Sequence, residues 1–297
     1  MGMRNIPLTL VATLALWSFA LNATAAAYCP PSLEDALEDV PPGGTLLLPR
    51  GHVFQPLIAD PIEPHFFLSY RSYRKDGETV NTGVIGAGET FPLWRRVGGC
   101  STDGMQLDVN GGGVARFVLD DGRNDLIDGD FTVAVPLSWR QGTWSWRARL
   151  YHNSSHLGED YLYQNQTPPR SKASYESIDF IVGYDQPEWR LYFGPEVILR
   201  HYPSFEPWGL HVGAEYYGDR TLFGGLGRWI GGLDVKSWGE YGYAPDYSLK
   251  AGLSLGGSRR QQQHLQLLLE LYTGHQNRGV FYDDKVQSIG AGVYFGF

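Results

Sequence analysis

The residues best suited to chemistry lie near the middle of the chain, where the stretch 147–160 carries His152, Ser154, Ser155, His156, Glu159 and Asp160. A serine hydroxyl is a weak nucleophile until a neighbouring base takes its proton and a third group fixes that base. His152 and Ser154 are two residues apart. On an extended strand that spacing puts both side chains on one face, roughly 6–7 Å apart along the chain. Glu176 falls at the same parity on the following strand, where it can hold the imidazole. The chemistry would be acyl transfer: Ser154 as nucleophile, His152 as general base and Glu176 as orienting carboxylate. Backbone N–H groups in a turn at Ser155-His156 would supply an oxyanion hole. The bland alternative is a polar rim that solvates a loop or binds lipopolysaccharide.

Metal chemistry has weaker support. Glu159 and Asp160 offer the hard oxygen ligands that Ca2+ takes, and are equally readable as solvated loop charges. His152 and His156 are four apart on a strand, too far for one zinc ion. No glycine-rich phosphate loop occurs. Gly111-Gly112-Gly113 reads as a strand kink.

Long alternating strands must carry these residues. Trp144, Trp146, Ala148 and Leu150 alternate with Ser145, Arg147, Arg149 and Tyr151, and Ile178, Phe180 and Val182 alternate with Asp179, Ile181 and Gly183. Similar runs follow at Leu191 and Phe193, Leu210 and Val212, Leu249 to Leu255, and Leu265 to Leu271. One face is apolar with aromatics near the strand ends. The other carries Arg147, Arg149, Arg190, Glu196, Arg200, Glu215, Asp234, Lys236, Lys250 and Glu270. Each run is about ten residues or longer, which is the length a tilted strand needs to cross a bilayer. Extending the apolar parity to His152, Ser154 and Glu176 puts them on the lipid-facing wall, near its external end.

Twelve strands are expected, near 65–75, 79–95, 105–119, 126–140, 143–156, 173–185, 188–202, 207–218, 228–241, 246–258, 262–275 and 286–297. The fold class is all-β, a closed antiparallel transmembrane barrel with a short periplasmic N-terminal segment. An even count leaves both ends on the periplasmic side. The stretches 157–172 and 276–285 then become long external loops.

The flanks agree with an outer-membrane location. Arg4, the apolar run 6–21 and Ala23-Thr24-Ala25-Ala26-Ala27 read as a signal peptide over 1–27, against an uncleaved anchor. Residues 28–64 are Pro-rich, with a short acidic helical stretch over 32–40, and read as a periplasmic lead-in or a partial plug. The barrel occupies 65–297. Cys29 and Cys100 both fall on the periplasmic side, where a disulfide is allowed but not required. Composition points the same way: 38 Gly, nine Trp and 18 Tyr, with a net charge of −8 that argues against a nucleic-acid partner. Ile289, Ala291, Val293, Phe295 and Phe297 alternate to the last residue. A soluble sandwich would leave that aromatic edge exposed.

The terminal Phe297 resembles the signature by which the barrel assembly machinery recognises outer-membrane strands. The stretch 150–158, together with Ser174-Tyr175-Glu176-Ser177, Asp234-Val235-Lys236-Ser237 and Tyr272-Thr273-Gly274-His275, resembles a family of proteobacterial outer-membrane barrels of unknown function, domain 1207. More locally, His152-Asn153-Ser154 is similar to the His-x-Ser of outer-membrane phospholipase A and the barrel lipid A deacylases. That similarity implies catalytic roles for His152, Ser154 and Glu176 at the external leaflet, with phospholipid or lipopolysaccharide as partner.

The expected function is lipid acyl-ester hydrolysis, with Ca2+ and a homodimer left open. The alternative is a non-enzymatic structural or lipopolysaccharide-binding barrel, or a narrow channel.

Overall fold

A computed structural model describes residues 42–99, 102–120, 122, 124–164, 172–202, 204–256, 264–276 and 279–296. The expected signal peptide, the helical stretch over 32–40, both cysteines and Phe297 lie outside them. A short strand β1 (Thr45–Leu47) precedes twelve long ones: β2 (Phe66–Lys75), β3 (Glu78–Val97), β4 (Gly104–Val118), β5 (Leu126–Gln141), β6 (Trp144–Leu157), β7 (Lys172–Asp185), β8 (Trp189–Tyr202), β9 (Trp208–Tyr217), β10 (Gly227–Trp238), β11 (Pro245–Gly256), β12 (His264–His275) and β13 (Lys285–Gly296). One helix, α1 (Glu159–Gln164), interrupts the series between β6 and β7.

Each long strand pairs antiparallel with its neighbour in sequence, and β13 pairs with β2 to close the ring. Closure removes the sheet edges that a bilayer could not satisfy. β3 runs past the start of β2, and β1 pairs with the overhang at Trp94–Arg96. The expected strand positions agree with the observed ones to within a few residues.

The distribution of side chains is inverted relative to a soluble protein. Leu150, Phe193 and Leu269 are 51%, 61% and 68% exposed, whereas Arg149, Arg190 and Glu215 are 2%, 0% and 3% exposed. Apolar groups outside and charges inside fit a wall bathed in hydrocarbon. Rings gather at one end of that wall. Trp139 stacks on Trp146 with centroids 5.5 Å apart, and Tyr184 lies between Trp144 (4.9 Å) and Trp189 (5.7 Å). They form part of an interfacial aromatic belt beside the short turns after β5 and β7. No helix among the described residues is long and apolar enough to cross a membrane.

The N-terminal segment acts as a plug. Residues 51–60, except Pro56, and Glu63 are buried, and the barrel's inward charges bind them. Arg147 Nη1 donates to both carboxylate oxygens of Glu63 at 2.9 Å, and Lys236 Nζ lies 2.5 Å from Asp60 Oδ1. Arg95, Arg140 and Arg190 donate to the carbonyls of Gly51, Val53 and Gln55 at 2.7, 3.0 and 2.8 Å. Glu215 accepts the Ile58 N–H at 2.7 Å. Buried charges are costly unless paired and hydrogen-bonded, and here the plug's carboxylates and main chain supply partners that the strands alone do not.

The glycine run does not kink β4, because the pairing of β3 with β4 continues unbroken through Gly111–Gly113. Its role is close approach instead. A Cβ on Gly112 would sit 2.7 Å from Gly88 Cα, and one on Gly88 would sit 3.0 Å from Pro64 Cβ of the plug.

The far end of the lumen is covered by the loop after β12. Val280 and Tyr282 are buried there, the Val280 N–H donates to Ser155 Oγ at 3.0 Å, and Tyr241 Oη donates to the Tyr282 carbonyl at 2.7 Å.

Candidate active site on the outer wall

β6 alternates strictly between the two sides. Arg147, Arg149, Tyr151, Asn153 and Ser155 are buried in the lumen, while Leu150, His152, Ser154 and His156 face out. The β6–β7 register sets His152 opposite Glu176, Ser154 opposite Ser174 and His156 opposite Lys172. His152 Nδ1 lies 3.1 Å from Glu176 Oε1, with the two side chains 43% and 37% exposed. A carboxylate at Nδ1 fixes the tautomer whose Nε2 can accept a proton. Nε2 makes no hydrogen bond among the described residues. The structure thus brings His152 and Glu176 into contact and keeps Ser154 on their face.

Two sequence expectations change here. The sequence suggests oxyanion donors in a turn at Ser155-His156, but β6 runs on to Leu157. Ser155 is paired there with Asp130 on one side and Ala173 on the other, so the local N–H groups belong to the ladder. The Ser155 side chain points into the lumen, and His156 points outward across from Lys172.

The second change concerns Arg200, which alternation along β8 assigns to the lumen. Glu176 pairs with Arg200 while Ser177 pairs with Ile198, so Leu199 is an extra residue in a β-bulge. The bulge resets the parity, and Leu199 and Arg200 are both exposed. Bulges recur beside active sites because they re-aim a side chain in this way. His201 turns inward instead and stacks on Tyr175 with centroids 5.6 Å apart.

A shallow outer groove of about 630 Å³ connects these groups, with His152, Ser154, Lys172, Glu176, Arg200 and Tyr202 among its lining. Lys172 was legible in principle, because stepping back by twos from Glu176 reaches it. Arg200 was hidden by the apolar run Val197-Ile198-Leu199, whose break in alternation was its only trace.

Glu159 and Asp160 open helix α1, and Asp160 Oδ2 accepts the Leu126 N–H at 3.1 Å. The tightest metal-capable cluster among the described residues is elsewhere, in the lumen, where donor atoms of Asp60, His211 and Asp234 lie within 4.8 Å of one another. Lys236 already occupies Asp60, and Tyr192 Oη donates to Asp234 at 2.6 Å. Lys236 and Tyr192 thus compete with a cation for these carboxylates, and the Lys236–Asp60 pair pins the plug to the wall.

A family profile described as a protein of unknown function, DUF1207, matches residues 40–297. The chain belongs to this family. No curated protein matches the DUF1207 chain. Among solved structures it is similar to outer membrane phospholipase A from Escherichia coli, at 13% identity and a TM-score of 0.51, covering 78% of this chain and 98% of that one. An active-site mutant of the same phospholipase gives a TM-score of 0.52 at 13% identity, covering 92% and 99%. The KdgM porin gives 0.41 at 10% identity, covering 78% and 99%. At such identities the likeness shows the fold alone: the DUF1207 protein is an outer-membrane β-barrel.

Proposed function

We propose that the DUF1207 barrel is an outer-membrane lipid acyl-ester hydrolase, of phospholipase or lipid A deacylase type. The observation that carries this reading is the His152–Glu176 contact on the lipid-facing wall, with Ser154 two residues along the same face. Unpaired polar groups on such a wall are costly away from the interface, so a paired His and Glu beside an outward Ser calls for a role.

In the proposed reaction His152 Nε2 takes the Ser154 proton as Oγ attacks the ester carbonyl. The tetrahedral intermediate collapses to an acyl-enzyme, and His152 returns the proton to the leaving alcohol. Water, activated by the same imidazole, then releases the fatty acid. Glu176 stabilises the imidazolium that forms in each step. The oxyanion donor has to face outward, and the Ser174 hydroxyl opposite Ser154 meets that requirement. The fold shared with an outer membrane phospholipase accords with this reading.

The test is fatty-acid release from outer-membrane phospholipid and lipid A in detergent micelles, with Ca2+ and with EDTA. Ser154→Ala should abolish release while the barrel still folds. A wild-type protein that releases nothing from either lipid under both conditions defeats the proposal. The EDTA arm decides whether Glu159 and Asp160 have any part as Ca2+ ligands. The particle mass in detergent decides whether a homodimer forms. Engagement of the barrel assembly machinery through the C-terminal strand β13 belongs to the same reading.

The second reading is a structural or lipopolysaccharide-binding barrel. The plugged lumen favours this over a channel, since Arg147, Lys236 and Arg190 hold the plug across the bore.

A further inference from the structure

We infer that Arg200 and Lys172 are the headgroup-binding part of the outer groove, and that the lipid it takes carries a phosphate. This rests on the reading of His152, Ser154 and Glu176 as an ester-cleaving site. It adds the part of the substrate that is recognised and the residues that recognise it.

The placement of Arg200 is the first argument. Regular alternation would bury it in the lumen beside the other inward arginines. The bulge at Leu199 turns it to the outer wall, directly across the ladder from Glu176. Lys172 reaches the same wall from the start of β7, across from His156. The two rows are four residues apart, about 13 Å along β7. An Arg and a Lys extended toward each other can close on one anionic group over Ser174 and Tyr202.

Availability is the second argument. Glu176 directs its carboxylate to His152, and among the described residues neither Arg200 nor Lys172 is in an ion pair. The groove thus holds two cations against one carboxylate in a chain whose net charge is −8. Arg supplies a planar, bidentate match to phosphate oxygens, and Lys adds a point charge.

Level is the third. The groove lies at the end of β6 that leads into α1 and the long loop, on the side opposite the chain's entry into β2. That is the external rim, where charged side chains on the lipid face cost little and phosphates of the outer leaflet are within reach. A phosphate held there lies one strand across from Ser154, so the acyl esters of the same lipid are within reach along the groove.

The experiment compares two hydrolysis substrates and two bound probes. Wild type, Lys172→Ala/Arg200→Ala and a distant control, Arg74→Ala, are assayed on phosphatidylglycerol and on diacylglycerol in neutral detergent micelles. The ratio of kcat/KM for the phosphate lipid to that for the phosphate-free lipid should fall by roughly tenfold or more in the double variant, as expected for lost charge-assisted contacts, and hold in the control. Native mass spectrometry on Ser154→Ala protein, with and without the double change, then counts bound phosphatidylglycerol and bound lipid A. Occupancy by either should drop in the double variant, and which one drops identifies the source of the phosphate. An unchanged ratio together with unchanged occupancy overturns the inference. If wild type cleaves neither ester but occupancy still falls, the hydrolase reading fails and the phosphate site stands.

Discussion

Glu176 stands opposite His152 in the β6–β7 ladder, with its Oε1 3.1 Å from the imidazole Nδ1. Strand register sets this pair, since the two residues face each other directly across the β6–β7 ladder. Rigid elements hold catalytic geometry more tightly than loops do. Glu176→Gln keeps the size and a hydrogen bond but loses the charge that stabilises an imidazolium. The expected result is a fall in kcat of about 10²–10⁴, with KM changed much less, as for other triad orienters. Steady-state kinetics on phosphatidylglycerol micelles reads it. An unchanged kcat would remove Glu176 from the mechanism.

Much of this was legible because two-residue alternation carries both fold and face. Leu150 and Ile178 fix the parity of β6 and β7, and His152, Ser154 and Glu176 inherit it. What alternation cannot report is an extra residue. Val197, Ile198 and Leu199 are all apolar, so the bulge leaves no polar marker and simple alternation assigns Arg200 to the lumen. The ladder pairing of Ser155 and His156 was hidden for a related reason. Ser155 and His156 look like turn residues, yet β5 and β7 pair on both sides of them and hold them extended. The plug was legible only as one of two readings of a proline-rich segment, because its contacts join residues far apart in sequence, such as Arg147 with Glu63.

That ion pair gives a second prediction. Arg147→Ala leaves the buried Glu63 carboxylate with only the longer Arg149 contact at 3.5 Å, so the cost should approach but not reach the about 3–5 kcal/mol of a fully broken buried pair. Glu63→Gln added to it should recover part of the loss, because an uncompensated charge costs more than a neutral amide. Hydrogen exchange of residues 51–63 in detergent measures plug docking directly. Faster exchange in the single variant and partial recovery in the double are expected. Equal protection in all three proteins would mean that the pair does not hold the plug.

The same segment should respond to acid through His52. Burial first, and then the Arg95 charge, push its imidazole down to about 4. An undocked plug in water returns it to the ordinary value near 6.5. Between those values the undocked state binds more protons, so docking is strongest above pH 6.5 and weakens as pH falls toward 4. The slope is at most about 1.4 kcal/mol per pH unit for one proton. Exchange protection over residues 51–60 should therefore drop between pH 7 and pH 4.5 in the wild type. His52→Gln carries no titrating group at that position and should flatten this part of the profile. Any conductance that appears in planar bilayers at pH 4.5 should weaken in the same variant, since it would report plug release. If the two proteins lose protection in parallel, the acid response belongs to other groups and His52 is only packed.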